Sequence, residues 1–281
     1  TGLGRVGLEA ALGLEPAVTV NSAITRSANP FGPDHFETGC GIKIRGMSIT
    51  TAWSHTAQVD DDLGGELARV DLVQRDAANV ALTFADGTGG VLPVVRDFLT
   101  VLRFVDGTLV DVSFEPSANS WRREDYEARR DELEQLRGIV ATAFRYGAFR
   151  LDHAGAEQLA VRMQHAKGVD PAMAVYAAYG YDGIGREDLI EQMQSYLRAD
   201  LGIRLFDIAL LGGDLAGTAG HAEDLFPPMP MLAQGFALLD AQRVEPSPLL
   251  RQLRGHLAPS VWTLFDAEGA ARLDEILTEA G

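Results

Sequence analysis

Between residues 68 and 115 the apolar positions fall in short runs broken by turn formers, and beyond residue 123 they recur at spacings of three and four. The first pattern predicts strands. Val70-Asp71-Leu72-Val73, Val80-Ala81-Leu82-Thr83-Phe84, Leu99-Thr100-Val101-Leu102-Arg103-Phe104 and Leu109-Val110-Asp111-Val112-Ser113-Phe114 are of strand length. Asp86-Gly87 and Asp106-Gly107 punctuate them. Asp-Gly readily takes the positive φ angles of a tight hairpin turn, so each pair marks a chain reversal. Leu102, Phe104, Leu109, Val110, Val112 and Phe114 then form one face, with Arg103, Asp111 and Ser113 on the other, the alternation of a half-buried antiparallel sheet. Upstream, Ile42, Ile44 and Ile49 lie in β-branched stretches separated by Gly46.

Pro116 ends the last strand, and 116–120 is a polar connection. Leu133, Leu136, Ile139, Val140 and Phe144 then form one stripe, with acidic residues and Arg129, Arg130 and Arg137 opposite, predicting one long amphipathic helix from Arg123. Leu159 and Met163 mark a second helix. Asp170-Pro171 reads as an N-cap with proline at the first helical position, opening a third through Met173, Tyr176 and Tyr179. Gly183 to Gly185 breaks it before a fourth containing Ile190, Met193, Tyr196 and Leu197. Leu205, Phe206 and 208–211 suggest a buried fifth. Residues 212–230 read as a flexible loop. Leu232, Phe236 and Leu239, then Leu249, Leu250, Leu253 and Leu257, then Leu273, Ile276 and Leu277 complete the set.

The expected class is α+β: an arm or linker over 1–36, an antiparallel β-sandwich-like domain over 37–116, and an α-helical domain over 121–281. Helix pairs at 154–199 fit either a helical-hairpin repeat or an irregular bundle.

Composition narrows the function. Twenty-four Lys and Arg against forty Asp and Glu give a net charge of −16. Such a chain repels phosphate backbones and anionic lipid, so neither nucleic acid nor membrane is an expected partner. With no apolar run of spanning length and no secretory signal at Thr1 to Ala11, a cytoplasmic location is expected. A single cysteine, Cys40, fits a reducing compartment. A chain opening at Thr1 is expected to be a segment of something longer.

Chemistry-bearing motifs are sparse. Gly2-Leu3-Gly4-Arg5-Val6-Gly7 matches the dinucleotide fingerprint in letters, without the strand that must deliver it. His35, His55, His153, His165, His221 and His256 lack the i, i+4 spacing of helical metal ligands. Asp60-Asp61-Asp62 lacks the spaced ligands of a calcium loop and reads as solvated. Cys40, near His35, is either a thiol nucleophile or a small buried hydrophobe. No cofactor or metal, and no catalytic residue set, is expected. Tyr176, Tyr179 and Tyr181, with Tyr196 and Trp121, either line a peptide groove or pack in the core. Beside them, Arg162, His165 and Lys167 form a basic spot that a partner's carboxylate would use. Arg162, His165, Lys167, Tyr176 and Tyr179 are therefore the candidate partner-binding residues.

Several segments together resemble the C-terminal region appended to some bacterial caspase-like proteases and related multidomain effectors. They are His35-Phe36-Glu37-Thr38-Gly39-Cys40-Gly41-Ile42-Lys43-Ile44-Arg45-Gly46, Phe84-Ala85-Asp86-Gly87-Thr88-Gly89, 114–120, 163–179 and Pro259-Ser260-Val261-Trp262-Thr263. The resemblance implies a non-catalytic regulatory or partner-recognition part of a protease system in stress or antiviral defence, its partner a protease or effector domain. It does not imply peptidase activity for this chain, which lacks a Gln-Ala-Cys-x-Gly site around Cys40. Two alternatives stay open: a protease substrate or inhibitor with 1–37 as the cleavable or inserted element, and a cysteine hydrolase using Cys40.

Overall fold

The computed structural model describes residues 40–61, 64–144, 149–151, 155–217 and 224–279. The arm over 1–36, the glycine fingerprint, His35, Asp62, His153 and His221 lie outside them. The described residues form eight strands in two sheets, followed by ten α-helices.

The strands are β1 (Cys40–Arg45), β2 (Ile49–Trp53), β3 (Gln58–Asp60), β4 (Leu67–Asp71), β5 (Ala77–Phe84), β6 (Gly89–Val95), β7 (Phe98–Val105) and β8 (Thr108–Pro116). One sheet has the order β3-β4-β1-β7-β8 and the other β2-β5-β6. Both Asp-Gly pairs turn hairpins, β5–β6 and β7–β8. At the second, Asp106 and Gly107 take φ of 50° and 76°, positive at both central positions as a right-twisted hairpin prefers. Leu102 pairs with Val112, and Arg103 with Asp111, in the predicted register. Pairing is antiparallel except between β1 and β7, which run parallel in the middle of the larger sheet. Gly46, just past β1, has φ of 77°, and a Cβ there would lie 2.2 Å from the Phe104 carbonyl oxygen, so only glycine fits this close crossing.

β6 has no counterpart in the sequence expectation, because Gly89, Gly90 and Pro93 interrupt its pattern. It is nonetheless buried along its whole length. As an edge strand it tolerates Pro93, whose missing N–H faces no ladder partner. Backbone hydrogen bonds exchanged between Gly89 and Phe265 cover the start of its free edge.

A second difference concerns Val73, placed at the end of a strand by its apolar character. It lies in the turn after β4 with φ of 54° and 64% of its surface exposed. A β-branched residue is strained there and packs against little. Val73→Asn is expected to raise stability by about 1 kcal/mol, since asparagine visits this region readily. A thermal melt reads the gain, and an unchanged or lower melting temperature contradicts the strain.

The helices are α1 (Arg123–Ala128), α2 (Arg130–Ala143), α3 (Ala156–Ala166), α4 (Ala172–Asp182), α5 (Glu187–Leu201), α6 (Phe206–Leu211), α7 (Gly235–Leu238), α8 (Pro248–Leu253), α9 (Ala267–Ala270) and α10 (Leu273–Glu279). The long helix expected from Arg123 is thus two, broken where Arg129 leaves helical geometry at φ −102° and ψ 9°. Its stripe survives, with Leu133, Leu136 and Val140 buried. α4 is buried on every side from Ala172 to Tyr181, the pattern of a helix central to a core, and α3, α5 and α6 pack against it.

One apolar cluster runs from both sheets into α2, α3, α4 and α5. A second, built on Phe206, Leu210, Phe236, Leu253, Phe265 and Ile276, reaches Ala81 and Val91 on the other face of the smaller sheet. β5 and β6 are therefore covered on both faces, which is why they read as continuous apolar runs. Within 212–230, Leu215, Leu225 and Met229 are buried, so the described part of this loop is anchored.

Candidate functional site

The sheet meets the helices at a buried charged node. Asp170, in the turn between α3 and α4, is fully buried. Its Oδ1 accepts from the Phe114 N–H at 3.0 Å and the Ala172 N–H at 3.1 Å, and its Oδ2 from Arg137 Nη2 at 2.7 Å. One carboxylate thus joins β8, α2 and the start of α4. The Asp170 carboxylate does accept the Ala172 N–H at the start of α4, but the residue directly before the helix is Pro171, one position later than the sequence reading placed the cap. Around it stand Asp111, Glu115 and Tyr126. Burial raises the Asp111 carboxyl, against the pull of Arg137. Burial also raises the Tyr126 hydroxyl, which is hydrogen-bonded to Arg137.

The same turn carries a surface feature outward. Arg122, buried just before α1, donates to the Gly168 carbonyl at 3.0 Å and pairs with Asp200 at 2.7 Å, tying α1, the α3–α4 turn and α5 together. Its guanidinium stacks 4.2 Å from the ring centre of Trp121, which is 74% exposed. On the other side, Lys167 Nζ lies 3.9 Å from the ring centre of Tyr196, itself 37% exposed. The Tyr196 hydroxyl is hydrogen-bonded to Asp200. Burial lowers the Lys167 ammonium, with Asp200 opposing. Alternating rings and cations of this kind contribute about 0.5–1 kcal/mol per stacked pair at an exposed site and hold their geometry when a ligand arrives.

The candidate residues separate into two groups. Tyr176 and Tyr179 are core residues, which corrects the groove alternative for both. Tyr176 packs among Phe144, Phe149 and Trp262 at ring separations of 6.0, 5.3 and 5.7 Å. Tyr179 donates its hydroxyl to Asp207 Oδ1 at 2.8 Å. Tyr181 is buried as well. Arg162 and His165 are on α3 and Lys167 is in the turn after it, none of the three in the core. Arg162 reaches Gln135 at 2.9 Å and Glu132 at 3.8 Å. The His165 ring is exposed, while its carbonyl accepts from Arg129 Nη1 at 2.8 Å.

Arg122 and Arg129 were not among the residues singled out from sequence. The available signal was weak: Trp121 precedes α1 and belongs to no apolar stripe, while Tyr196 reads with Met193 and Leu197 as part of its helix's apolar set. An aromatic off the stripe faces water or a partner.

Two other sequence candidates have structural roles. Cys40 is buried in β1, its thiol directed at the Val70 carbonyl, and burial pushes the thiol up to about 12. Held so, the sulfur is protonated at neutral pH and packs as a small hydrophobe. Asp61 accepts the Ala52 N–H at 2.7 Å and so blunts the edge of β2. Among the described residues, no group of three or more His, Cys, Asp or Glu is arranged to hold a metal ion, and no helix is long and apolar enough to cross a membrane. No family model, curated protein or solved structure matches the chain.

Proposed function

We propose that this chain is a protein-recognition module, acting through the face built by Trp121, Arg122, Lys167 and Tyr196, within a cytoplasmic system of caspase-like proteases or related effectors in stress or antiviral defence. The observation that carries the reading is Trp121. It is the most exposed of the large apolar side chains among the described residues, at 74%, yet its ring is held by Arg122, whose own contacts fix it to three elements. Fixed, exposed aromatics backed by arginine are the anchors that dominate protein interfaces. The buried node at Asp170 supports this by setting the turn that bears Lys167, so the face is organised before any partner arrives. The system in which it works is taken from the sequence resemblance. In this reading the two sheets form a sandwich-like unit and the α3–α4 pair is a helical hairpin stacked beside it.

The test is a photocrosslinking amino acid, p-benzoylphenylalanine, in place of Trp121 in the native host, with the same residue at exposed Glu268 as control. A discrete protein adduct at position 121 and none at 268 is the expected result. Equal or absent adducts at the two positions would remove the recognition reading.

A further inference from the structure

We propose that this face takes an acidic linear peptide segment, with an apolar side chain of the segment on Trp121 and its carboxylates over Lys167, Arg129 and Arg162. The inference deepens the recognition reading and rests on it.

Charge complementarity along the strip argues for this occupant. Lys167 donates to the Gln164 carbonyl at 3.0 Å and leans on the Tyr196 ring, and the carboxylate that acts on it, Asp200, is already paired with Arg122. Arg129 and Arg162 reach the same carboxylate, Glu132, at 3.0 and 3.8 Å, so two guanidinium charges share one anion. The exposed ring of His165 lies between them and Lys167 in the chain. In a chain of net charge −16, this local excess of cation is placed where a partner's carboxylates gain most. At the other end of the strip the balance reverses. Arg122 is already neutralised by Asp200, and exposed Glu124 and Asp125, in the first turn of α1, follow Trp121 by three and four residues in the chain. Carboxylates are repelled there, while the open face of Trp121, backed by a guanidinium, receives an aromatic or proline ring. The strip thus has a direction: an apolar anchor at Trp121, acids at the α3 end.

A peptide is favoured over the other anionic macromolecules by that same reversal. A phosphate backbone or a lipid surface carries continuous charge and would run onto Glu124 and Asp125, whereas a peptide confines its charge to chosen side chains.

Fluorescein-labelled hexapeptides Trp-Gly-Ser-Glu-Glu-Glu and Glu-Glu-Glu-Ser-Gly-Trp, with glutamine and lysine counterparts, test this by fluorescence polarisation at low and near-physiological salt. One glutamate order is expected to bind at least about tenfold more tightly than its glutamine counterpart, with affinity falling as salt rises. Lys167→Glu and Arg162→Glu are each expected to weaken it about tenfold, and Trp121→Ala to abolish it, with circular dichroism unchanged. Equal affinity for glutamate and glutamine peptides, no binding by either, or tighter binding of single-stranded RNA or phosphatidylserine vesicles overturns the assignment. If the adduct at position 121 still forms in the host, only the acidic chemistry falls. If it does not, the recognition reading falls with it.

Discussion

Replacing Asp170 by alanine is expected to destabilise the protein by about 3–5 kcal/mol, the usual cost of stranding one member of a buried ion pair. The carboxylate is fully buried and accepts from the Phe114 N–H, the Ala172 N–H and Arg137. Alanine leaves two buried amides and a guanidinium without that acceptor. Asparagine should cost less, about 1–3 kcal/mol, because its Oδ1 still takes both amide hydrogens and only the charge on Arg137 loses its partner. Urea titration at neutral pH reads both variants as a fall in midpoint at constant slope. An alanine variant within about 1 kcal/mol of the parent, or one no worse than asparagine, contradicts the role of Asp170 as a three-way junction. The same loss should loosen the α3–α4 turn, and with it the orientation of Lys167, since one residue secures both.

The second large effect is a pH dependence centred on Asp207. This buried carboxylate accepts from the Tyr179 hydroxyl at 2.8 Å, the Met231 N–H at 2.6 Å and the Leu232 N–H at 3.3 Å. Burial outweighs those donors and raises it from 3.8 to about 6. Between these values the folded chain holds a proton that the unfolded chain has released. Its contribution to stability is therefore complete below pH 3.8, falls as pH rises, and is gone above about 6. The shift corresponds to about 3 kcal/mol. Asp207→Asn removes the titration and leaves the Met231 N–H facing an amide that satisfies it poorly. The variant is expected to be less stable by about 1–3 kcal/mol at pH 7, and the gap from the parent should widen by about 2 kcal/mol at pH 4. Denaturant titrations of both proteins across that range decide it. A gap independent of pH means that Asp207 titrates as an ordinary carboxylate in the fold.

β5, the strands on both sides of Asp106-Gly107, the two Asp-Gly turns, the apolar stripe of α2 and the capping carboxylate of Asp170 were legible in the sequence because each depends on neighbours a few residues away. Turn conformation, amphipathic period and capping are local properties, and tertiary packing confirmed rather than replaced them. β6 was hidden for the opposite reason. Gly89, Gly90 and Pro93 are poor strand formers, and the strand exists because Phe265 and the helices α9 and α10, far along the chain, close over it.

The candidate site divides along the same line. From sequence, Arg162, His165 and Lys167 stood together as a basic spot because they are close in the chain, although helical spacing places only Arg162 and His165 on one face. Spacing could not say which of the aromatics beside them faced outward. Tyr176 and Tyr179 are in the core because α4 is enclosed on all sides by α3, α5, α6 and the sheet, whereas Trp121 lies in the exposed turn before α1 and Tyr196 on a helix, α5, with one face open. The partnership of Asp170 with Arg137, 33 residues apart, and of Arg122 with Asp200, 78 apart, was invisible to any local rule. The sequence by itself determined the elements whose signals are local, the Asp-Gly turns with β5, β7 and β8 and the amphipathic helices. The tertiary structure alone decided which charges meet and which rings are left exposed, because burial and pairing are set by the packing of distant segments against one another.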